Sequence, residues 1–119
     1  MFIRYIDLKI LDSFEKATAE SLTSKYCEKI DVFLKNAAKS STLVFDIKKY
    51  NKTGSAVKYS VHLRLDVPNL KFSAKAADWD LNRVLHKVFN KLEHEVKHKF
   101  KSEGRKKTDY RKYLMQKKE

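Results

Sequence analysis

Arg83, Lys87 and Lys91 stand four residues apart, and His94, His98 and Lys101 extend the series at steps of three and four. On an α-helix this spacing places neighbours about 5–6 Å apart along one edge. That interval is comparable to the phosphate spacing of a nucleic-acid strand, and each Lys or Arg that meets a phosphate releases counterions. Lys97 and Lys99 widen the row at its C-terminal end. The chemistry is polyanion binding, without selectivity for a base sequence. A lysine row on a helix is most often a solvated face. Here the overall charge argues against that reading, with 27 Lys and Arg against 15 Asp and Glu, a net +12 in 119 residues. Such a charge repels itself unless a polyanion is near.

Residues 101–119 hold eight Lys and Arg against three acidic residues, a net +5. Arg105, Lys106 and Lys107 form its densest run, and Tyr110 and Tyr113 among the basic residues are placed to stack on bases. A solubilising end and a nucleic-acid-contacting arm fit this composition equally well.

Other chemistries find little support. Cys27, the single cysteine, forms no internal disulfide and reads as an inert thiol within a helix. His94-Glu95-Val96-Lys97-His98 matches the His-Glu-x-x-His pattern of zinc peptidases. That motif needs a third ligand and an apolar cleft. A Lys-rich helix in a small domain, with no further acidic or histidine cluster after it, makes the match adventitious. With 2 Gly in all there is no glycine-rich phosphate loop. The expectation is a non-enzyme with no cofactor, no metal and no small-molecule substrate.

The elements that must position these residues follow from periodicity. Phe2, Ile6, Leu8 and Ile10 occupy even positions, which predicts a first strand over 2–10 with those residues inward. Asp12 and Ser13 offer an N-cap, with Glu15 three residues beyond Asp12. Phe14, Thr18, Leu22, Tyr26, Ile30, Phe33, Leu34 and Ala37 then predict one amphipathic helix over 13–38. Leu43, Phe45 and Ile47 alternate as a second strand, and residues 51–55 read as a turn. Val57, Tyr59, Val61, Leu63, Leu65 and Val67 alternate with polar residues over eleven positions, the clearest strand of the chain. Pro68-Asn69 is the hairpin turn into Leu70, Phe72, Ala74 and Ala76. Asp78 or Asp80 caps a second helix with the stripe Leu81, Val84, Leu85, Val88, Leu92, Val96 and Phe100. Trp79, at its start, reads as a core or staple aromatic. The helix is expected to fade at Ser102-Glu103-Gly104, giving a folded domain over 1–103 and a basic, flexible or weakly helical tail over 104–119.

The order β-α-β-β-β-α predicts a two-layer α+β domain. Its four-stranded sheet carries both helices on one face, in the manner of double-stranded-RNA-binding domains. The other face is left to solvent and displays a second basic group, Lys58, Arg64, Lys71 and Lys75, together with His62. No apolar run approaches the roughly 18 residues of a spanning helix, and the N-terminus lacks the pattern of a secretory signal. A soluble cytoplasmic protein with no membrane partner is expected.

The β-β-α half resembles the ribosome hibernation-promoting factors, also called ribosome-associated translation inhibitors. The resemblance rests on Pro68-Asn69, on Leu70-Lys71-Phe72-Ser73-Ala74-Lys75-Ala76, on the acidic cap at Asp78 and Asp80, and on Lys91-Leu92-Glu93 leading to the basic Lys97, Lys99 and Lys101. From Pro68 to about Glu103 the register fits without gaps, whereas residues 1–56 agree in element order alone. The family's Asp-Met-Tyr at the helix start is Asp80-Leu81-Asn82 here, and its Arg-Gln-Leu after Lys-Leu-Glu is His94-Glu95-Val96. The chain resembles a short form, with no dimerisation domain after the tail. The resemblance implies a dormancy factor that binds the rRNA of the small ribosomal subunit in the mRNA and tRNA path. Such a factor inhibits translation under stress or in stationary phase. It would present Arg83, Lys87, Lys91, His94, Lys97, His98, Lys101, Arg105, Lys106 and Lys107 to phosphates. A general double-stranded RNA-binding module and a protein with acidic protein partners are the alternatives.

Overall fold

A computed structural model describes residues 1–51 and 56–116, with side chains described over 1–50 and 56–100. Four strands form one sheet in the order β1-β2-β3-β4: β1 (Phe2–Ile6), β2 (Thr42–Asn51), β3 (Val57–Val67) and β4 (Leu70–Asp78). Helix α1 (Ser13–Leu34) joins β1 to β2, and α2 (Leu81–Gln116) follows β4. β1 pairs parallel with β2, so the chain needs the long crossover that α1 supplies. The β2–β3 and β3–β4 pairs are antiparallel. The fold is the expected α+β arrangement of two helices with a four-stranded mixed sheet. Among the described residues no helix is long and apolar enough to cross a membrane.

The meander follows its alternation closely. Leu43, Phe45 and Ile47 of β2 and Val61, Leu63 and Leu65 of β3 are fully buried. Opposite them lie Val84, Leu85, Val88, Phe89, Leu92 and Val96 of α2, also fully buried. The β3–β4 loop has two residues, Pro68 and Asn69, between the paired Val67 and Leu70. Proline's ring fixes its own φ, and Asn69 takes the left-handed φ of 67° that a tight reversal needs. Of the expected turn at 51–55, Asn51 is still in β2, and residues 52–55 lie outside the described residues.

Three elements depart from expectation. β1 ends at Ile6, and Leu8–Ile10 form a 3-10 turn entered through Asp7 at φ 63°. Its inward residues are odd, not even. Ile3 and Tyr5 stand beside the buried Leu43 and Phe45, while Phe2 is 67% exposed. Register decides this, because a shift of one residue turns every side chain to the other face. Helix α1 stops at Leu34, and Lys35–Ser40 continue as 3-10 turns. Its inward face is Ala19, Thr23, Tyr26, Cys27, Ile30 and Leu34, and Phe14 is 79% exposed. Ala, Thr and Cys allow the helix axis to approach α2 where a larger residue would hold it off. Finally, α2 does not fade at 102–104 but runs as helix to Gln116. Lys, Arg, Leu, Met and Gln are good helix formers, and the single Gly104 costs only about 1 kcal/mol.

The expected α1 cap is present. The Glu15 N–H donates to Asp12 Oδ1 at 2.8 Å, and the Asp12 N–H donates to Glu15 Oε1 at 3.1 Å. Glu15 also accepts from the Tyr59 hydroxyl and, at 3.1 Å, from Lys49 Nζ, which ties the start of α1 to β2 and β3. Burial alone would raise the Glu15 pKa, but Tyr59, the Asp12 N–H and Lys49 outweigh it and hold the carboxyl below its ordinary range. Tyr59 is pushed up to about 12 by burial and by this carboxylate. Cys27 is buried, and burial first, then Asp31, pushes its thiol up to about 12, so it stays protonated and unreactive.

Candidate nucleic-acid interface

The site begins at the end of β4. Asp78 is the last residue of the strand and faces inward, only 7% exposed, whereas Asp80 is the α2 cap, its Oδ1 accepting from the Arg83 N–H at 3.1 Å. Asp78 is instead a counterion. Lys87 Nζ donates to Asp78 Oδ2 at 2.7 Å, and Arg83 Nη1 lies 3.8 Å from Oδ1. The N–H groups of Trp79 and Asp80 also donate to Oδ1. Lys87 first, then these N–H groups and Arg83, hold the Asp78 carboxyl below its ordinary range against the effect of burial. One carboxylate therefore orients the first two cations of the row. Both remain largely in water, with side chains 66% exposed for Arg83 and 51% for Lys87.

Lys91, one turn further, reaches the sheet edge. Its Nζ donates to the Lys75 carbonyl of β4 at 3.0 Å. β4 is an edge strand, and a cation on an edge carbonyl also discourages pairing with another chain. His94 and His98 follow, exposed, with rings stacked 6.3 Å apart. They line a surface depression with Phe72, Glu95 and Lys99. Among the described residues no group of three or more His, Cys, Asp or Glu is placed to hold a metal ion.

The secondary basic residues sit on the solvent face of the sheet. Arg64, Lys71 and Lys75 are exposed, and Lys58 is half-buried. His62 pairs in register with Lys75 and bonds Ser73 Oγ at 2.9 Å. Burial, Lys75 and Arg64 outweigh Asp46 and lower its pKa below the ordinary value, which disfavours the charged ring. The Lys91–Lys75 bond joins the helix row to this face across the β4 edge. The structure thus makes one basic surface of two groups that the sequence presents separately. Lys97 is exposed on α2. The side chains of Lys101, Arg105, Lys106 and Lys107 lie outside the described residues.

The fold that carries these residues is a known architecture. The N-terminal domain of Thermus thermophilus Protein Y superposes with a TM-score of 0.58 at 17% identity, over 81% of this chain and 92% of that one. The chain has the fold of that Protein Y domain. A ribosomal subunit interface protein from Coxiella burnetii superposes with a TM-score of 0.51, also at 17% identity, over 86% of this chain and 99% of the other. No family model and no curated protein matches the sequence.

Sequence reasoning missed three parts of the surface and misplaced a fourth. Lys48 is exposed on the solvent face, in register with Ser60, and the alternation of β2 was sufficient to find it. Arg4 stands on the same face beside Val44, itself opposite Arg64, but the inverted parity of β1 hid it. Asp78 carried no signal beyond helix capping. Trp79, expected in the core, is 53% exposed, with Lys58 Nζ 5.7 Å from its ring centroid. One residue past the inward Asp78, the strand's alternation turns it to solvent.

Proposed function

We propose that this protein is a ribosome-associated dormancy factor of the hibernation-promoting class. It binds the rRNA of the small subunit in the mRNA and tRNA path and inhibits translation under stress or in stationary phase. The observation that carries the reading is the basic surface at the β4 edge, built on a fold shared with a ribosomal subunit interface protein. Arg83, Lys87, Lys91, His94, Lys97 and His98 present the helix side of that surface to phosphates. Lys58, Arg64, Lys71 and Lys75 present the sheet side. Lys101 continues the helix row, and Arg105, Lys106 and Lys107 extend the contact along the basic segment 104–119, which acts as an arm of the ribosome-binding domain 1–103. The mechanism is occlusion: a rigid domain fills the path, and the work requires no catalysis, cofactor or small-molecule substrate. The place of action is the cytoplasm.

Physical support comes from preorganisation. Asp78 and the Lys75 carbonyl hold Lys87 and Lys91 in place before rRNA arrives, so less side-chain freedom is lost on binding. Sucrose-gradient sedimentation tests the reading. The protein should co-migrate with small subunits or monosomes. The variant Arg83→Glu/Lys87→Glu/Lys91→Glu should be lost from those fractions. The corresponding Gln variant avoids placing a second carboxylate beside Asp78, and a thermal melt confirms that each variant folds. Equal affinity for any RNA duplex without ribosome preference would establish a general double-stranded RNA-binding module instead. Binding to neither would overturn the nucleic-acid reading.

A further inference from the structure

The solvent face of the sheet carries two large aromatic side chains in one cross-strand row. Tyr50 of β2 pairs in register with Lys58 of β3. On the other side, β3 and β4 pair Tyr59 with Asp78 and Ser60 with Ala77, and one further step sets Trp79 beside Lys58. The 5.7 Å between Lys58 Nζ and the Trp79 centroid is within cation–π range. Tyr50 is 48% exposed and Trp79 53%, so each ring keeps about half of its surface in water. With one strand between them, at about 4.8 Å per strand step, the two rings are about 10 Å apart.

The surroundings are more basic than acidic, with Lys48, Arg64, Lys71 and Lys75 against Asp46 and Asp66 on the same face. The next row across the sheet is Lys48, Ser60 and Ala77, with Lys48 and Ala77 exposed. The two small side chains leave an open floor beside the rings. Beyond it lies the row of Asp46, His62 and Lys75, and the Lys75 carbonyl also accepts from Lys91. Two half-exposed rings contribute little to the core, and burying a Trp is worth more than leaving it in water. The combination of ring faces, a cation between them and further cations at the margin matches a single-stranded nucleic acid. Its unstacked bases offer π faces while its phosphates need positive charge. A duplex hides those faces inside its own stack.

We infer that Tyr50, Lys58 and Trp79 form a stacking platform for unpaired bases of single-stranded RNA, distinct from the phosphate contacts of α2. Tyr50 and Trp79 each stack one base, and Lys58 and Lys48 take the adjoining phosphates. The inference rests on the nucleic-acid reading above and adds to it the state of the RNA, locally single-stranded at the sheet face.

Trp79 is the single tryptophan of the chain, so its emission reports on this site alone. The full chain is titrated at low salt with an eight-nucleotide oligoadenylate, the abasic strand of equal length, a duplex of equal length and a polyglutamate peptide. Oligoadenylate should quench the emission saturably, and the abasic strand and peptide should bind more weakly without quenching. Tyr50→Ala and Trp79→Ala, read by anisotropy of a labelled strand, should each weaken binding by about 5- to 100-fold, and Trp79→Phe should recover most of the loss. Both side chains are half-exposed, and circular dichroism confirms that the variants fold. Equal binding of abasic strand and oligoadenylate, or equal quenching by duplex or peptide, overturns the platform and leaves the phosphate-binding surface standing. Failure of every RNA to bind, with ribosome sedimentation also lost, overturns both.

Discussion

The two helices share the core and differ in almost everything else. α1 carries Lys16, Lys25 and Lys29 against Glu15, Glu20, Glu28 and Asp31, a net −1. α2 over residues 81–100 carries five Lys and Arg against two Glu, a net +3. α1 uses its acidic start to anchor itself: Glu15 closes the capping box and reaches Lys49 and Tyr59 across the sheet. α2 uses the acid before it, Asp78, to orient cations that face solvent. The same ion-pair chemistry fixes a helix in one case and arms a surface in the other. The net charge of the chain is therefore a poor guide to where its cations are displayed; the side on which α2 meets β4 is the better one.

Several experiments can break this comparison. The largest effect is expected where the helices meet. Phe89 of α2 is fully buried and stacks on Tyr26 of α1, with centroids 5.0 Å apart and planes 8° from parallel. Phe89→Ala should cost about 3–5 kcal/mol in chemical denaturation. Phe14→Ala on the exposed end of α1 should stay within about 0.5 kcal/mol. A similar cost at both positions would mean that α1 buries the face its periodicity suggests.

Charge reversal tests function. Arg83→Glu/Lys87→Glu/Lys91→Glu should weaken ribosome binding by about 100-fold or more and flatten its salt dependence. Lys16→Glu/Lys25→Glu/Lys29→Glu changes the net charge by the same amount on α1 and should leave binding within about three-fold. Equal losses would show that the overall charge, not the α2 edge, holds the partner.

Acid titration comes next. Glu15 and Asp78 both have folded-state pKa values below their unfolded ones. Each contributes stability that is present above its unfolded pKa, about 4, and is lost as pH falls through the folded value. The double variant Glu15→Gln/Asp78→Asn should therefore be less stable than the parent at pH 7 and lose less between about pH 5 and 2. Parallel pH curves would remove both carboxylates from the account. Asp12→Ala, which opens the α1 capping box, should cost about 1 kcal/mol.

The smallest effect is at the end of α1. Lys35 holds φ 54° and ψ −124°, a region that a Cβ disfavours. Lys35→Gly should raise stability by about 0.5–1 kcal/mol in thermal melts. A loss there would mean that the lysine side chain stabilises the turn by more than its backbone costs.

Legibility followed the kind of information each element carries. The meander was readable because alternation over β3 leaves one parity, and Pro68-Asn69 fixes where the chain reverses. Most of the α2 core stripe and the cation row were readable because their apolar and basic residues differ sharply. β1 was not, since Phe2, Ile3, Tyr5 and Ile6 place apolar residues on both faces and only the partner strand chooses between them. Nor was the face of α1, where half of the inward residues are the small Ala19, Thr23 and Cys27 and the aromatic Phe14 points outward. Trp79 was misread because its size suggests a core, while its place in the strand alternation sends it to water.

By itself the sequence determined the element order, the two-layer α+β class, the α1 cap and the rows of cations on α2 and β3–β4. These depend on local periodicity and on residues three or four apart. Tertiary structure alone decided that the two rows form one surface, that Asp78 is a counterion and not a cap, and that Tyr50, Lys58 and Trp79 stand side by side. Those facts depend on strand register and on how α2 crosses the β4 edge. Contacts between residues distant in the chain, such as Lys91 with Lys75 or Tyr26 with Phe89, set that geometry, and no local pattern encodes them.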